Sequence, residues 1–167
     1  MSLRLILMRH AKSSWDDPLN SDYDRPLNSR GRDAANLMGG WLKSKGYLPD
    51  EVILSSAART METGERVLAA AGVSPVTKPM RALYHAPDFQ ILRTLAQATG
   101  ETVLLIAHNP GIGDFASHFA AAPHSHPDFV RYPTAATTVF EVDAPMWKQV
   151  QFGKNKVADF AIPRDLA

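Results

Sequence analysis

Two arginines and two histidines are the residues whose types and spacing could do chemistry. Arg9-His10 ends the apolar run Leu3 to Met8, Arg59 follows the run Glu51 to Leu54 across Ser55-Ser56, and His108 ends the run Thr102 to Ala107. Two guanidiniums and two imidazoles with no carboxylate close by in sequence would repel in an empty site, but they match a tetrahedral dianion with several acceptor oxygens. The ligand they suit is phosphate. Arg59 also lies in the first turn of a predicted helix, where free backbone N–H groups and the helix dipole favour an anion. Taken singly, an Arg-His pair, an Arg opening a helix and a His after a strand are ordinary packing or surface features. Their joint placement is not, because uncompensated charge gathered at one edge costs free energy unless something is bound there.

The elements that must position these groups follow from periodicity. Leu3 to Met8, Glu51 to Leu54 and Thr102 to Ala107 are short apolar runs of the kind buried on both faces of a parallel sheet. Residues 12 to 28 are polar, with Pro18, Pro26 and a group of aspartates, and read as a surface loop closed by Asn28 as a helix N-cap. Ala34, Ala35, Leu37, Met38, Trp41 and Leu42 then share one face of a helix to about Lys45, stopped by Gly46 with Pro49 beyond. A second helix is predicted from Ala57 to Ala71, ended by Gly72, and a third from Asp88 to about Ala98 on Phe89, Leu92, Leu95 and Ala96. A fourth starts at Asn109-Pro110 and runs to about Ala121 through Ile112, Phe115 and Phe119. Val73 to Lys78 is a short strand, residues 79 to 88 a loop, and residues 122 to 135, rich in Pro and His, irregular. Thr137 to Val142 and Lys148 to Phe152 alternate as a strand pair, and the tail 153 to 167 is weakly patterned. Alternating strand and helix argues α/β: a single three-layer domain over residues 1 to 167, its mainly parallel central sheet flanked by helices, with functional groups at the carboxyl ends of strands.

Composition narrows the partners. The chain has 167 residues, 45% hydrophobic and 21% charged, which is ordinary globular usage and enough for a full core without a metal or disulfide staple. Lys+Arg minus Asp+Glu is 18 − 17 = +1, so no electrostatic surplus supports a footprint on nucleic acid or an anionic membrane. Zero cysteines exclude disulfides, thiol nucleophiles and Cys-ligated zinc. The apolar run before Arg9 is too short for a signal-peptide core, and no stretch approaches the roughly 20 residues of a spanning helix, so a cytoplasmic location is expected.

Four segments in order carry a resemblance. Leu7-Met8-Arg9-His10-Ala11, Arg25-Pro26-Leu27-Asn28-Ser29-Arg30-Gly31, Ser55-Ser56-Ala57-Ala58-Arg59-Thr60 and Ile106-Ala107-His108-Asn109-Pro110-Gly111 resemble the motifs of the histidine phosphatase (phosphoglycerate mutase-like) superfamily. They span residues 7 to 111, and the short length is similar to the small phosphohistidine phosphatase (SixA-type) branch. The resemblance implies a hydrolase in which His10 is the nucleophile that becomes phosphorylated, Arg9 and Arg59 hold the phosphoryl oxygens and His108 completes the pocket. It also implies no cofactor and no metal. An imidazole attacking phosphorus in line splits one difficult transfer into two, and cations aimed at the equatorial oxygens stabilise the charge of the transition state. They also keep His10 neutral, as a nucleophile must be.

The chain departs from the family pattern at three places. Ala11 stands where family members usually have Gly, a change expected to be tolerated. Asp16 stands where many have a phosphate-contacting Asn, and is not assigned to the site. The acid donor that members acting on alkyl phosphates carry in a Leu-x-Glu step is missing, since the chain reads Leu83-Tyr84-His85. His85 is a candidate proton donor in its place, as is Asp88, although Asp88 is equally well explained as a helix N-cap. Lys12 is read as a solvated lysine. His118, His124 and His126 lack the partners of a metal site. Phe115, Phe119 and the three tryptophans are read as core. The expected substrate is a phosphorylated protein, phosphohistidine first. A small phosphorylated compound turned over with His85 or Asp88 as acid is the nearer alternative, and a non-catalytic phosphate or phosphopeptide binder the further one. A binder would need only the arginines, so intact His10 and His108 favour the enzyme.

Overall fold

The computed structural model describes residues 2–167 and shows one six-stranded sheet with helices on both faces. In chain order the elements are β1 (Leu3–Arg9), α1 (Ser29–Lys45), β2 (Glu51–Ser55), α2 (Ala58–Ala71), β3 (Val76–Met80), α3 (Asp88–Leu95), β4 (Thr102–Ala107), α4 (Gly111–Phe119), β5 (Thr137–Val142), β6 (Lys156–Ala161) and the short α5 (Pro163–Leu166). The sheet order is β3-β2-β4-β1-β5-β6. β1, β2, β3 and β4 run parallel, whereas β5 is antiparallel to both β1 and β6. The sheet is therefore mainly parallel with one reversed strand.

Side chains alternate across the sheet with the two-residue period of a strand, so each central strand feeds two cores. Leu3, Leu5 and Leu7 of β1 pack with Val103, Leu105 and Ala107 of β4 against Ile91 and Leu95 of α3 and Ile112, Phe115 and Phe119 of α4. Ile6 and Met8 join Leu104 and Ile106 on the other face, against Ala35, Met38 and Leu42 of α1 and Val67 of α2. The helix ends are those the sequence marks. The Asn28 side chain accepts from Gly31 N–H (2.8 Å), and Gly46 and Gly72 close α1 and α2 at φ 73° and 76°, where a Cβ would be strained. Among the described residues no helix is long and apolar enough to cross a membrane.

Several expectations are corrected. Lys148 to Phe152 is not a strand: Trp147–Gln149 forms a 3-10 turn, and the partner of β5 is Lys156–Ala161, inside the tail read as weakly patterned. The helix expected to reach Ala98 ends at Leu95, and Phe89, assigned to its apolar face, is exposed. Asp88 is the first residue of that helix and Pro87 occupies the cap. Val73 to Lys78 shifts to Val76–Met80. Phe115, Phe119 and Trp147 are buried and Trp41 partly so, but Trp15 is 76% exposed. Its ring lies 3.5 Å from the Arg25 guanidinium, so a cation against its face stands in for a core.

Candidate active site

Parallel register sets the site. Arg9 lies opposite Ala107 and Leu54 opposite Ile106, so the carboxyl ends of β1, β4 and β2 sit side by side in the order β2-β4-β1. The chain then leaves each end with a polar residue: His10 after β1, His108 after β4, Ser55 closing β2. Arg59 enters in the first turn of α2. All four predicted groups are brought together, and all four are at least half-buried. The His10 and His108 rings have centroids 5.2 Å apart.

Hydrogen bonds define the state of each group. His10 Nδ1–H donates to the Ala11 carbonyl (2.7 Å), which fixes the tautomer and leaves Nε2 with its lone pair. Burial, with smaller contributions from Arg9, Arg59 and Arg25, lowers the His10 pKa to about 3, so the ring is neutral. Burial, with the Arg59 guanidinium beside it and the second imidazole it would have to share a charge with, lowers His108 as well. His108 Nε2 and the Ser55 hydroxyl are hydrogen-bonded at 2.8 Å. The backbone around the nucleophile is held from two sides: Ala11 N–H donates to Thr63 Oγ1 of α2 (3.0 Å), and Ala135 N–H donates to the His10 carbonyl (3.0 Å). Ala11 is buried and does not take the left-handed backbone conformation, so it replaces glycine without strain.

Among the described residues three buried polar nitrogens find no partner: Arg9 Nε, Arg59 Nε and His108 Nδ1. An unpaired buried nitrogen of this kind costs about 1–3 kcal/mol, more where it is charged, so three around one pair of imidazoles describe a site built for an anion. Arg9 Nη1 is held by the Tyr132 carbonyl (3.2 Å). Asn109 Nδ2 donates to that same carbonyl (3.0 Å), and its Oδ1 accepts from Gly113 N–H. The irregular segment 122 to 135 thus has a task. It carries Tyr132, whose buried hydroxyl donates to the Leu7 carbonyl (2.7 Å) and whose own carbonyl steers Arg9.

No carboxylate lies close by in sequence, but the fold brings one to the pocket from the loop after β1. Asp22, in a 3-10 turn of the loop after β1, accepts from Arg59 Nη2 (3.1 Å), Arg25 Nη2 (3.0 Å) and the Tyr84 hydroxyl (2.5 Å), and His85 Nε2 lies 3.4 Å away. Its backbone carbonyl accepts from Arg59 Nη1 (2.6 Å). The Tyr84 hydrogen bond, then those of Arg25 and Arg59, hold its carboxyl far below the usual carboxylate range. His85 has φ 57°, a strained conformation for a residue with a Cβ, and its ring lies 5.9 Å from His108 and 4.0 Å from Tyr84.

The other candidates lie outside this constellation. Asp88 Oδ2 is bonded to His118 Nδ1 (2.5 Å) and its Oδ1 accepts from Phe89 N–H, so both oxygens are engaged away from the pocket. Asp16 is exposed, and Lys12 is exposed beside a groove it shares with Arg30 and Arg131. His126 pairs with Asp165 (2.7 Å), and His124 packs on Phe129 and Phe160. Sequence reasoning missed Asp22, Tyr84, Tyr132 and Ser55. Only Ser55 carried a signal, as the polar residue closing a buried strand at its carboxyl end.

Residues 5–80 match the model of the histidine phosphatase superfamily (branch 1). An uncharacterized protein of Mycobacterium tuberculosis is 30% identical over 164 residues, which is 94% of this chain and 100% of that protein. The phosphohistidine phosphatase SixA of Escherichia coli is 30% identical over 115 residues, covering 66% of this chain and 70% of that one. The structure of a putative phosphohistidine phosphatase SixA from Nakamurella multipartitia superposes with a TM-score of 0.80 at 29% identity, covering 98% of this chain and 97% of that chain.

Proposed function

The chain belongs to the histidine phosphatase superfamily, and from that premise we propose that it removes a phosphoryl group through a covalent intermediate on His10, acting first on protein phosphohistidine. The observation that carries this reading is the state of His10. Its Nδ1–H is spent on the Ala11 carbonyl, its ring is neutral, and its lone-pair nitrogen stands in a pocket with three unpaired buried nitrogens.

The order of events follows from these groups. The phosphoryl oxygens take the free Nε of Arg9 and Arg59 and Nδ1 of His108, which places phosphorus in line with His10 Nε2. The imidazole displaces the leaving group, and water then releases phosphate from His10. The two guanidiniums supply the positive charge, and no metal takes part. Tautomer fixation matters because an imidazole with both nitrogens protonated has no lone pair to attack with. His85, its ring 5.9 Å from that of His108, is the group that would deliver a proton to a basic leaving group. The likeness to phosphohistidine phosphatases favours an imidazole leaving group, which needs little such help.

The test is to run turnover of a phosphohistidine protein with EDTA present, quench it in alkali and locate the phosphate. Acid-labile, alkali-stable label on His10, absent from His10→Ala together with turnover, is the expected result. Label on another residue, or an active His10→Ala protein, refutes the proposal.

A further inference from the structure

We infer that Asp22 is a built-in counter-ion that alternates with the substrate's phosphoryl group at Arg59 Nη2, holding the guanidinium and the Tyr84–His85 turn at the pocket and reclaiming them when phosphate leaves. The inference rests on the phosphoryl-transfer reading of the same pocket.

Four groups from three separate stretches of chain converge on this one side chain: Arg25, Arg59, Tyr84 and His85. Arg25 is buried and anchored in its own loop by Ser13 Oγ (2.5 Å) and the Ser14 carbonyl (3.3 Å), so it fixes one oxygen of the carboxylate. The other oxygen faces Arg59, Tyr84 and His85. Asp22 takes the Nη1 and Nη2 side of Arg59, leaving the buried Nε without a partner. A two-pronged grip on a phosphoryl group uses Nη2 beside Nε, so phosphate that closes on Arg59 must take Nη2 from the Asp22 carboxylate. The carboxylate side chain is 42% exposed, so it can yield without breaking a core.

The chemistry gives this arrangement a purpose. A pocket of two guanidiniums and two imidazoles attracts its inorganic phosphate product as strongly as its substrate, and such a pocket is slowed by the product it makes. A carboxylate already bonded to one of the guanidiniums competes with that product at every turnover. It also stops Arg59 and the His85 turn from drifting apart between turnovers.

Orthovanadate and inorganic phosphate binding, measured by calorimetry on wild type and Asp22→Asn, test the inference. The amide keeps most hydrogen-bonding positions and loses the charge, so both anions should bind about fivefold tighter or more, with inhibition of turnover by phosphate rising in step. Equal or weaker binding, or none in either protein, overturns it. Tyr84→Phe, which removes one anchor of the carboxylate without touching its charge, should also tighten phosphate binding, and weaker binding there counts against the competition. Calorimetry needs no turnover, so a wild type that forms no phosphohistidine defeats the phosphatase reading alone. Equal phosphate affinities in an active pair of proteins defeat this inference alone.

Discussion

A guanidinium presents its N–H donors in one rigid plane, and Arg59 turns some of them to a carboxylate and keeps its buried Nε free of protein partners. Lysine cannot do both, because an ammonium is a point charge on a flexible stem. Arg59→Lys should therefore lower kcat/KM about a hundredfold, or about 3 kcal/mol of transition-state stabilisation. A mutant within threefold of wild type in a steady-state assay would make Arg59 a structural ion pair with Asp22 and nothing more. Arg9, His10, Arg59 and His108 were legible in the sequence because each stands at or just beyond the end of a buried strand, and a parallel sheet gathers such ends. Asp22 was not. It is 37 residues from Arg59 and 62 from Tyr84 in a polar loop, and no local spacing announces which of its aspartates turns inward.

At the scale of elements the apolar runs were readable to within a residue or two, because burial on both faces leaves no other interpretation of Leu3 to Met8 or Thr102 to Ala107. The sheet edge was not. Lys148 to Phe152 alternates and Lys156 to Ala161 does not, because an edge strand, half-exposed, leaves a weak pattern. What decides between them is Asn155, a fully buried side chain whose amide donates to the Phe119 (3.0 Å) and Gln151 (2.8 Å) carbonyls and whose oxygen accepts from Asp143 N–H (2.9 Å). It ties the end of α4, the turn after Trp147 and the end of β5 to the start of β6. Asn155→Ala leaves three backbone groups without their partner, and at about 1 kcal/mol or somewhat more for each the loss should reach about 3 kcal/mol. Urea unfolding measures it, and a loss under 1 kcal/mol would mean that the sheet pairing alone sets the strand.

For the molecule as a whole, the question is which phosphorylated compounds the assembled pocket turns over. Expelling an alkoxide from phosphorus demands a proton donor in the transition state, and a well-placed one contributes 10² to 10⁴ in rate. The carboxyl group found against the pocket's cations is Asp22. Its bonds to Tyr84, Arg25 and Arg59 keep it ionised, so it has no proton to give. Asp88 is engaged with His118 and the start of α3. His85 is left, more exposed than the other two histidines of the pocket, with its Nε2 3.4 Å from the Asp22 carboxylate and its ring against Tyr84. An imidazole leaving group is far less basic than an alkoxide and can take its proton from water, so this pocket suits phosphohistidine without a strong acid. kcat/KM should accordingly fall in the order phosphohistidine, aryl phosphate, alkyl phosphate, with a steep dependence on leaving-group pKa. His85→Ala should cost the alkyl esters most and phosphohistidine least. A series of phosphate esters of graded leaving-group pKa, assayed on wild type and His85→Ala, decides it. A flat series, with a sugar phosphate turned over as fast as phosphohistidine, would show that the pocket holds an effective acid and that small phosphomonoesters are its substrates.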